Sequence, residues 1–394
     1  MPSRNITPGH PSSAASEWVV PLSKPSFSAE DVRRLSEVFS SGWWTYGPVA
    51  RELEARFAAY LGVRHALATA NGTAALHLAH LALGVRDGDE VVVPSLSFVA
   101  AANTIIHTGA RPRFADVQSL DNPVVSVETL ARALTPRTRG LCVMHYGGYP
   151  CSMDEIMEFA SRRGLWVVED AAHAPGAALA EIRCGAWGDI GCFSFFGNKN
   201  ISCAEGGLVV TQRDDLAEKI RALRSHGMTS LTWDRFRGHQ STYDVATPGF
   251  NYRMDDLRAS ILDVQLCSLD RTNLLRRERS EWYRELLRGD PRWILPFEKH
   301  TGDPAYHLFV IVLNSDVSRD RVMSAMKRMG IQTSVHYPPT HQFSCFRDSV
   351  PGTSELGVTE ELGRRLLTLP LYPDMTRDQV QLVCSSLCEA VEEG

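Results

Sequence analysis

The sequence has no excess of basic residues, because 41 Lys and Arg against 46 Asp and Glu give a net charge of −5 at pH 7. Such a chain has no electrostatic attraction to nucleic acid or to an anionic membrane surface. No apolar run reaches membrane-spanning length, and residues 1–17 lack the basic and apolar segments of a signal peptide. We therefore expect a cytoplasmic protein with a disordered leader over residues 1–18, whose partners are small molecules and further copies of itself.

The sequence also lacks a pattern of paired cysteines. Its nine cysteines are odd in number and scattered through apolar runs, which indicates reduced, buried thiols. Cys384 and Cys388 have the i, i+4 spacing of a metal clip on a helix, but no second ligand pair lies near them in the sequence. We therefore expect no metal site.

Strand-like and helix-like segments alternate between residues 65 and 212, which predicts an α/β fold with a mostly parallel sheet covered by helices on both faces. The predicted strands cover residues 65–70, 90–94, 113–117, 141–146, 165–169, 190–196 and 208–211, and the predicted helices cover 73–84, 100–108, 127–134 and 153–163. In such a sheet, functional side chains lie at the carboxyl ends of the strands.

The remainder of the chain predicts a smaller C-terminal α/β unit. A long helix over 255–288 leads to a strand at 306–313, a helix at 319–329, a strand at 332–337 and helices at 359–367 and 376–391. Residues 227–248 are polar and aromatic, with the run 232–239, and are predicted to form a long ordered loop. We place a large domain over 19–265 and a small domain over 266–394.

One lysine occupies an unusual position between two strand-like runs. Lys199 lies in the turn Gly197-Asn-Lys-Asn200, flanked by Phe196 and Ile201. Desolvation there would lower the pKa of the amine toward the neutral form that makes a Schiff base. The alternative is a solvated turn lysine in a surface salt bridge.

Other predicted strand ends carry polar or aromatic residues. The Asn-Gly-Thr run at 71–73 opens a helix and is an anion site or only an N-cap. Asp170 ends a predicted buried strand, where it is either an N-cap or an acid that holds a proton on a ring nitrogen. His173 follows it and either contacts a ring substituent or is satisfied by a backbone group. Phe98 stacks on a ring or fills the core, and the Ser194 hydroxyl could bind a phosphate.

A Gly-bounded loop at 41–48 contains Trp43, Trp44 and Tyr46. Aromatic side chains in such a loop are either a packing plug or a wall for a flat ligand. We include Trp44 and Tyr46 among the candidate substrate contacts.

An anion site, a ring-nitrogen acid, a stacking aromatic and a Schiff-base lysine are together what pyridoxal phosphate requires. The motifs that carry these residues closely resemble the DegT/StrS-type sugar aminotransferases, which are fold-type I pyridoxal-phosphate enzymes. The resemblance runs from about Val19 to the end of the chain, on the segments Asn71-Gly-Thr-Ala-Ala-Leu, Gly88-Asp-Glu-Val-Val-Val-Pro-Ser, Glu169-Asp-Ala-Ala-His, Phe193-Ser-Phe-Phe-Gly-Asn-Lys-Asn-Ile, Glu205-Gly-Gly, Gly249-Phe-Asn-Tyr-Arg-Met and His336-Tyr-Pro-Pro.

The resemblance implies roles for particular residues. Lys199 would carry the cofactor as an internal aldimine, and Asp170 would pair with the pyridinium nitrogen. Phe98 would stack on the ring and His173 would contact it. Asn251 would reach the phosphate from the neighbouring subunit, so that the active site requires a homodimer. The residues that would hold the phosphate within one chain are Gly72, Thr73 and Ser194.

The resemblance also implies a reaction, in which an amino group passes from L-glutamate through pyridoxamine phosphate to a keto sugar. His173 stands where several relatives that act on C4 have His, which favours a nucleotide-linked 4-keto-6-deoxy sugar. His336, in the small domain, is a further candidate substrate contact. The same chemistry on a cyclitol or another natural-product ketone is one alternative, and a non-catalytic sensor or scaffold that binds pyridoxal phosphate is the alternative from another class.

Overall fold

The computed structural model describes residues 18–230, 233, 238, 242–347 and 356–393. The predicted leader, apart from its last residue, lies outside the described residues, and so does the 232–239 run apart from Trp233 and Gly238. Within the described ranges no helix is both long enough and apolar enough to span a membrane. No cluster of three or more His, Cys, Asp or Glu side chains in those ranges could hold a metal ion.

Helices and strands alternate in the first half of the chain, as predicted. The described α-helices are α1 (Ala29–Ser40), α2 (Pro48–Leu61), α3 (Gly72–Ala82), α4 (Ala100–His107), α5 (Val127–Ala133), α6 (Met153–Arg163), α7 (Asp214–Leu223), α8 (Asp256–Leu287), α9 (Arg319–Arg328), α10 (Ser344–Arg347), α11 (Gly357–Arg365) and α12 (Arg377–Glu392). The strands are β1 (His65–Thr69), β2 (Glu90–Pro94), β3 (Arg111–Ala115), β4 (Thr138–Met144), β5 (Trp166–Asp170), β6 (Ala178–Leu179), β7 (Ile182–Arg183), β8 (Ile190–Ser194), β9 (Gly207–Thr211), β10 (Trp293–Ile294), β11 (Phe309–Leu313) and β12 (Leu366–Leu369).

The large sheet has seven strands in the order β1-β9-β8-β5-β4-β2-β3. The pairs from β8 to β3 are parallel, and only β9 runs antiparallel to its neighbours β8 and β1. Helices α3, α4 and α7 cover one face, while α2, α5, α6 and the first turns of α8 cover the other. The predicted mostly parallel sheet with helices on both faces is therefore confirmed.

A second sheet, β10-β11-β12, is antiparallel and packs against α9 and α12. The predicted strand at 332–337 is wrong, because Ser334 makes a single bridge to Thr368 of β12 and the chain then leaves the sheet. The predicted helix at 359–367 ends earlier, at Arg365, since the buried residues of β12 pair with β11 instead. The proposed domain boundary after residue 265 falls within α8, and the division stays a prediction.

The buried carboxylate of Glu169 connects β5 to the segments beside it. Its Oε1 accepts hydrogen bonds from the backbone N–H groups of Trp187 and Gly188, at 2.8 and 2.7 Å, and its Oε2 accepts one from Gly185 at 2.8 Å. Nε2 of His145 carries a proton and donates it to Oε2 at 2.9 Å, while the Cys151 backbone N–H lies against Nδ1 of the same ring at 3.1 Å. All four donors are satisfied by one carboxylate.

Replacing Glu169 by Gln should destabilise the fold by about 3 kcal/mol. Each carboxylate oxygen accepts from two donors, and the amide NH2 group that replaces one oxygen cannot accept, so two buried donors lose their partner. The measurement is the midpoint of urea-induced unfolding. Glu158→Gln, at an exposed position of α6 that pairs with Arg162, is the matched control and should leave the midpoint unchanged. Equal midpoints for the two variants would contradict the structural importance of the Glu169 contacts.

Candidate active site

A cavity of about 480 Å3 opens where the carboxyl ends of β5 and β8 meet the first turn of α3. This is the edge of the sheet at which the sequence predicted functional residues. Most of the predicted site residues line this cavity together, although they are widely separated in the chain: Gly72, Thr73, Phe98, Asp170, His173, Ser194, Lys199 and His336.

Lys199 lies in the loop that joins β8 to the adjacent antiparallel β9, so a strand on each side fixes both ends of the loop. Its backbone N–H donates to the Phe196 carbonyl at 2.9 Å, and its side chain is partly buried in the cavity wall. Burial lowers the pKa of Lys199 to about 8, although the nearby Asp170 carboxylate acts in the opposite direction. At pH 7 roughly a tenth of the amine is therefore neutral and nucleophilic, far more than at an ordinary lysine.

Asp170 is the last residue of β5 and is almost completely buried. Its Oδ1 accepts a hydrogen bond from the Ala172 backbone N–H at 3.1 Å. Burial raises the pKa of Asp170, which the Ala172 hydrogen bond, Lys199 and His145 partly oppose. A carboxyl group in this environment ionises most readily when a cation, such as a protonated ring nitrogen, lies against it.

The first turn of α3 forms a cradle beside Ser194. The Asn71 side chain caps the helix by accepting from the Ala74 N–H at 2.8 Å, and the N–H groups at the start of a helix have no partner within it. A Cβ added to Gly72 would lie 2.8 Å from the Cβ of Ser194, so only glycine lets the helix approach this closely. Free N–H groups, a hydroxyl and the helix dipole are together suited to binding an anion.

His173 and Tyr337 form a hydrogen-bonded pair that also lines the cavity. The Gly147 N–H donates to Nδ1 of His173 at 3.3 Å, and burial and the Lys199 cation hold the pKa of His173 well below its usual value. Nε2 of the neutral ring therefore carries the proton and donates to the Tyr337 hydroxyl oxygen at 2.9 Å. The Tyr337 O–H is then free to donate to a ligand.

Tyr337 was not among the predicted site residues. It directly follows the predicted His336 in the His-Tyr-Pro-Pro run, and this adjacency is the one feature of the sequence that could have indicated a role for Tyr337 in the site. The ring of Tyr337 lies 5.8 Å from that of the half-exposed Phe98, between centroids, so both aromatic rings face the cavity.

Three predicted site residues do not line this cavity. The Trp44 indole stacks on Phe39 and donates to the Phe39 carbonyl at 2.9 Å, and the buried Tyr46 donates to Glu54 at the same distance. Asn251 is exposed and bridges to Ser225. Within one chain these contacts give Trp44 and Tyr46 a packing role, and their predicted substrate contacts, like the role of Asn251, stay predictions.

Comparison with known proteins agrees with this arrangement. The model of the DegT/DnrJ/EryC1/StrS aminotransferase family matches residues 25–388. The chain belongs to this family. It is similar to the spore coat polysaccharide biosynthesis protein SpsC of Bacillus subtilis (strain 168), with 37% identity over 380 residues that cover 95% of this chain and 97% of SpsC.

Two solved structures of the family are also similar. DesV of S. venezuelae, determined in complex with a ketimine intermediate, has 35% identity and a TM-score of 0.85 over 92% of this chain and 95% of DesV. DesI, determined in the presence of its TDP-sugar product, has 30% identity and a TM-score of 0.85 over 95% of this chain and 93% of DesI. These similarities confirm both the expected family and the fold-type I architecture.

The chain is accordingly a pyridoxal-phosphate-dependent aminotransferase, and the cavity fits this cofactor. The cradle formed by Gly72 and Ser194 suits a phosphate, the buried Asp170 suits a protonated ring nitrogen, and Lys199 presents an amine with a lowered pKa. The partial burial of Lys199 in the cavity lining does not favour the alternative of a solvated turn lysine in a surface salt bridge.

The reactivity of Lys199 in the cofactor-free enzyme should follow pH with a midpoint near 8. Below that pH the protonated ammonium is unreactive, and above it the neutral amine reacts. Asp170→Asn should move the midpoint to lower pH, because loss of the carboxylate removes the group that favours the ammonium.

The measurement is the rate of acetylation of Lys199 by acetic anhydride, followed by peptide mass spectrometry. Exposed Lys24 in the same samples is the internal reference for reagent decay. A midpoint in Asp170→Asn equal to or above that of the unmodified enzyme would contradict the electrostatic coupling of the two side chains.

Proposed function

We propose that the enzyme transfers the amino group of L-glutamate to a nucleotide-linked 4-keto-6-deoxy sugar, working as a homodimer in the cytoplasm. The observation that carries the chemistry is the convergence of Lys199, Asp170 and the Gly72–Ser194 cradle on one cavity. The nature of the acceptor is supported by similarity to DesI, which was determined in the presence of a TDP-sugar product, and to SpsC, a polysaccharide biosynthesis protein.

In this proposal the side chains divide the work between binding and proton transfer. Pyridoxal phosphate, when bound, supplies an electron sink for the bonds at the donor's α-carbon. Nζ of Lys199 accepts the proton that leaves this carbon, and in the second half-reaction it returns a proton to the former ketone carbon of the acceptor. The Asp170 carboxylate holds the proton on the ring nitrogen through both halves.

The remaining side chains orient the reactants. The N–H groups of Gly72 and Thr73 and the Ser194 hydroxyl hold the phosphate, and Phe98 stacks on the ring. His173 is neutral and donates from Nε2, so it positions a ring oxygen or the Tyr337 hydroxyl without adding charge.

His336 is also neutral, because burial and the Lys199 cation lower its pKa to about 4. Its Nδ1 contacts the Thr368 hydroxyl at 3.0 Å, which leaves the other edge of the ring for a sugar oxygen. His173 favours amination at C4 over C3, by the resemblance to relatives with His at this position.

The holoenzyme should show a visible absorption band that L-glutamate bleaches and Lys199→Ala abolishes. Among ketones offered to the bleached enzyme, a nucleotide-linked 4-keto-6-deoxy sugar should restore the band fastest, and NMR of the product should place the amine at C4. Free cyclitol ketones and nucleotide-linked 3-keto sugars are the controls. Fastest restoration by a free ketone would replace the nucleotide-sugar assignment, and a band unaffected by every donor would favour the non-catalytic sensor.

The position of Asn251 supports an active site that two subunits share. Its side chain is exposed and does not line the cavity of its own chain, although the family resemblance assigns it to the phosphate. Both statements hold together if the side chain binds the phosphate of a second subunit. The homodimer is then required for cofactor binding as well as for assembly.

Hybrid dimers of the Lys199→Ala and Asn251→Ala variants test this arrangement. The Asn251→Ala homodimer should bind pyridoxal phosphate about tenfold more weakly, because a hydrogen bond to a charged phosphate is lost. A hybrid contains one site with an intact Lys199 from one chain and an intact Asn251 from the other, so half of its sites should regain full affinity. Unrestored affinity in the hybrid would show that Asn251 acts within its own chain.

A further inference from the structure

A second, much smaller cavity lies behind the loop that carries Lys199. Its volume is about 20 Å3, and its wall includes Ser23, Asn198, His307, His336 and Thr368. A cavity must offer roughly 10–15 Å3 to hold one water molecule, and it must present polar partners to keep it. Asn198 and His336 line both cavities, so these two residues lie between the two spaces.

The protonation of His307 is determined by a chain of hydrogen bonds. Nδ2 of Asn200 donates to the Ala305 carbonyl at 2.7 Å and to Oδ1 of Asn273 at 2.8 Å, so its Oδ1 faces the other way and acts as an acceptor. Nδ1 of His307 lies 2.9 Å from this oxygen and must be the donor.

The other ring nitrogen of His307, Nε2, has no hydrogen-bond partner among the described residues. Burial and the surrounding charged groups hold the pKa of His307 well below its usual value, so the ring is neutral and Nε2 is an acceptor. Within the described part of the chain, this buried atom has no hydrogen-bond partner, and neither has the buried Oδ1 of Asn198. A buried acceptor that is left without a hydrogen bond destabilises the fold, so both atoms require a donor.

We propose that Asn198 and His307 bind one buried water molecule in the small cavity. A water molecule has two O–H donors, which match the two unsatisfied acceptors, and the polar residues Ser23 and Thr368 line the same cavity. No ion is required, because both protein groups are neutral. The proposal does not depend on the identity of the amino donor or the acceptor.

The water molecule connects both flanks of Lys199 to the same histidine. Asn200, directly after Lys199, contacts His307 through Nδ1, and Asn198, directly before it, contacts His307 through the water molecule and Nε2. His307 is therefore a positioning residue that restrains the backbone on both sides of Lys199. Leu308 and β11 follow it directly in the chain, so the restraint extends to the small sheet.

A high-resolution crystal structure of the holoenzyme is the direct test. One density peak within hydrogen-bonding distance of both Oδ1 of Asn198 and Nε2 of His307 is expected. An empty cavity would overturn the proposal. An Asn198 amide turned so that its NH2 donates directly to His307 would overturn it as well.

Amide hydrogen exchange in the loop tests the consequence. The N–H groups of Lys199 and Cys203 are protected by the carbonyls of Phe196 and Phe195, at 2.9 and 3.1 Å. Asn198→Leu, which removes the acceptor, should speed their exchange about fivefold, whereas the matched Asn198→Asp, which keeps an acceptor, should not. Equal exchange rates in the Leu variant and the unmodified enzyme would show that the water molecule does not restrain the loop.

Discussion

The hydrogen bonds of Glu169 are the constraint on which the rest of the site depends. Side chains alternate along a strand, so Glu169 and Asp170 at the end of β5 point to opposite faces of the sheet. Glu169 accepts from His145, directly after β4, and from the segment 185–188, directly before β8. The strands on both sides of β5 are thereby held in position, and with them the Asp170 carboxylate and the loop that leaves β8 toward Lys199.

Burial and charge have opposite effects on the pKa values of Lys199 and of Asp170. Burial alone favours a neutral amine and a neutral carboxyl group, whereas their mutual attraction favours the ion pair. At Lys199 burial is the larger effect, so its pKa falls to about 8 although the Asp170 carboxylate acts to raise it. The neighbouring histidines, His173, His307 and His336, are neutral for the same reasons, so they contribute directed hydrogen bonds rather than further positive charge.

The sequence was most informative where the signal was local. The Lys199 turn and the strand end at Asp170 are continuous motifs, and the structure brings them to one cavity. The strand expected at 332–337 failed because alternating polarity does not reveal that only Ser334 pairs with its neighbour. The partnerships of Tyr337 with His173, and of His307 with Asn200, join residues more than 100 positions apart, and no local pattern encodes them. The arrangement of Trp44 and Tyr46 likewise depends on packing against Phe39 and Glu54.

The charges around the large cavity determine how it can hold a phosphate. Among the described residues that line it, Lys199 is the only side chain that carries a positive charge near neutral pH, and the acidic residues Asp170 and Glu205 line the same cavity. Side-chain charge therefore gives a dianionic phosphate no net attraction. The binding must come from oriented backbone N–H groups and from the dipole of α3, equivalent to about half a charge at its first turn. Glycine is therefore required at position 72, because any side chain there would separate the first turn of α3 from Ser194. For the same reason, an additional neutral donor from a second subunit would strengthen phosphate binding.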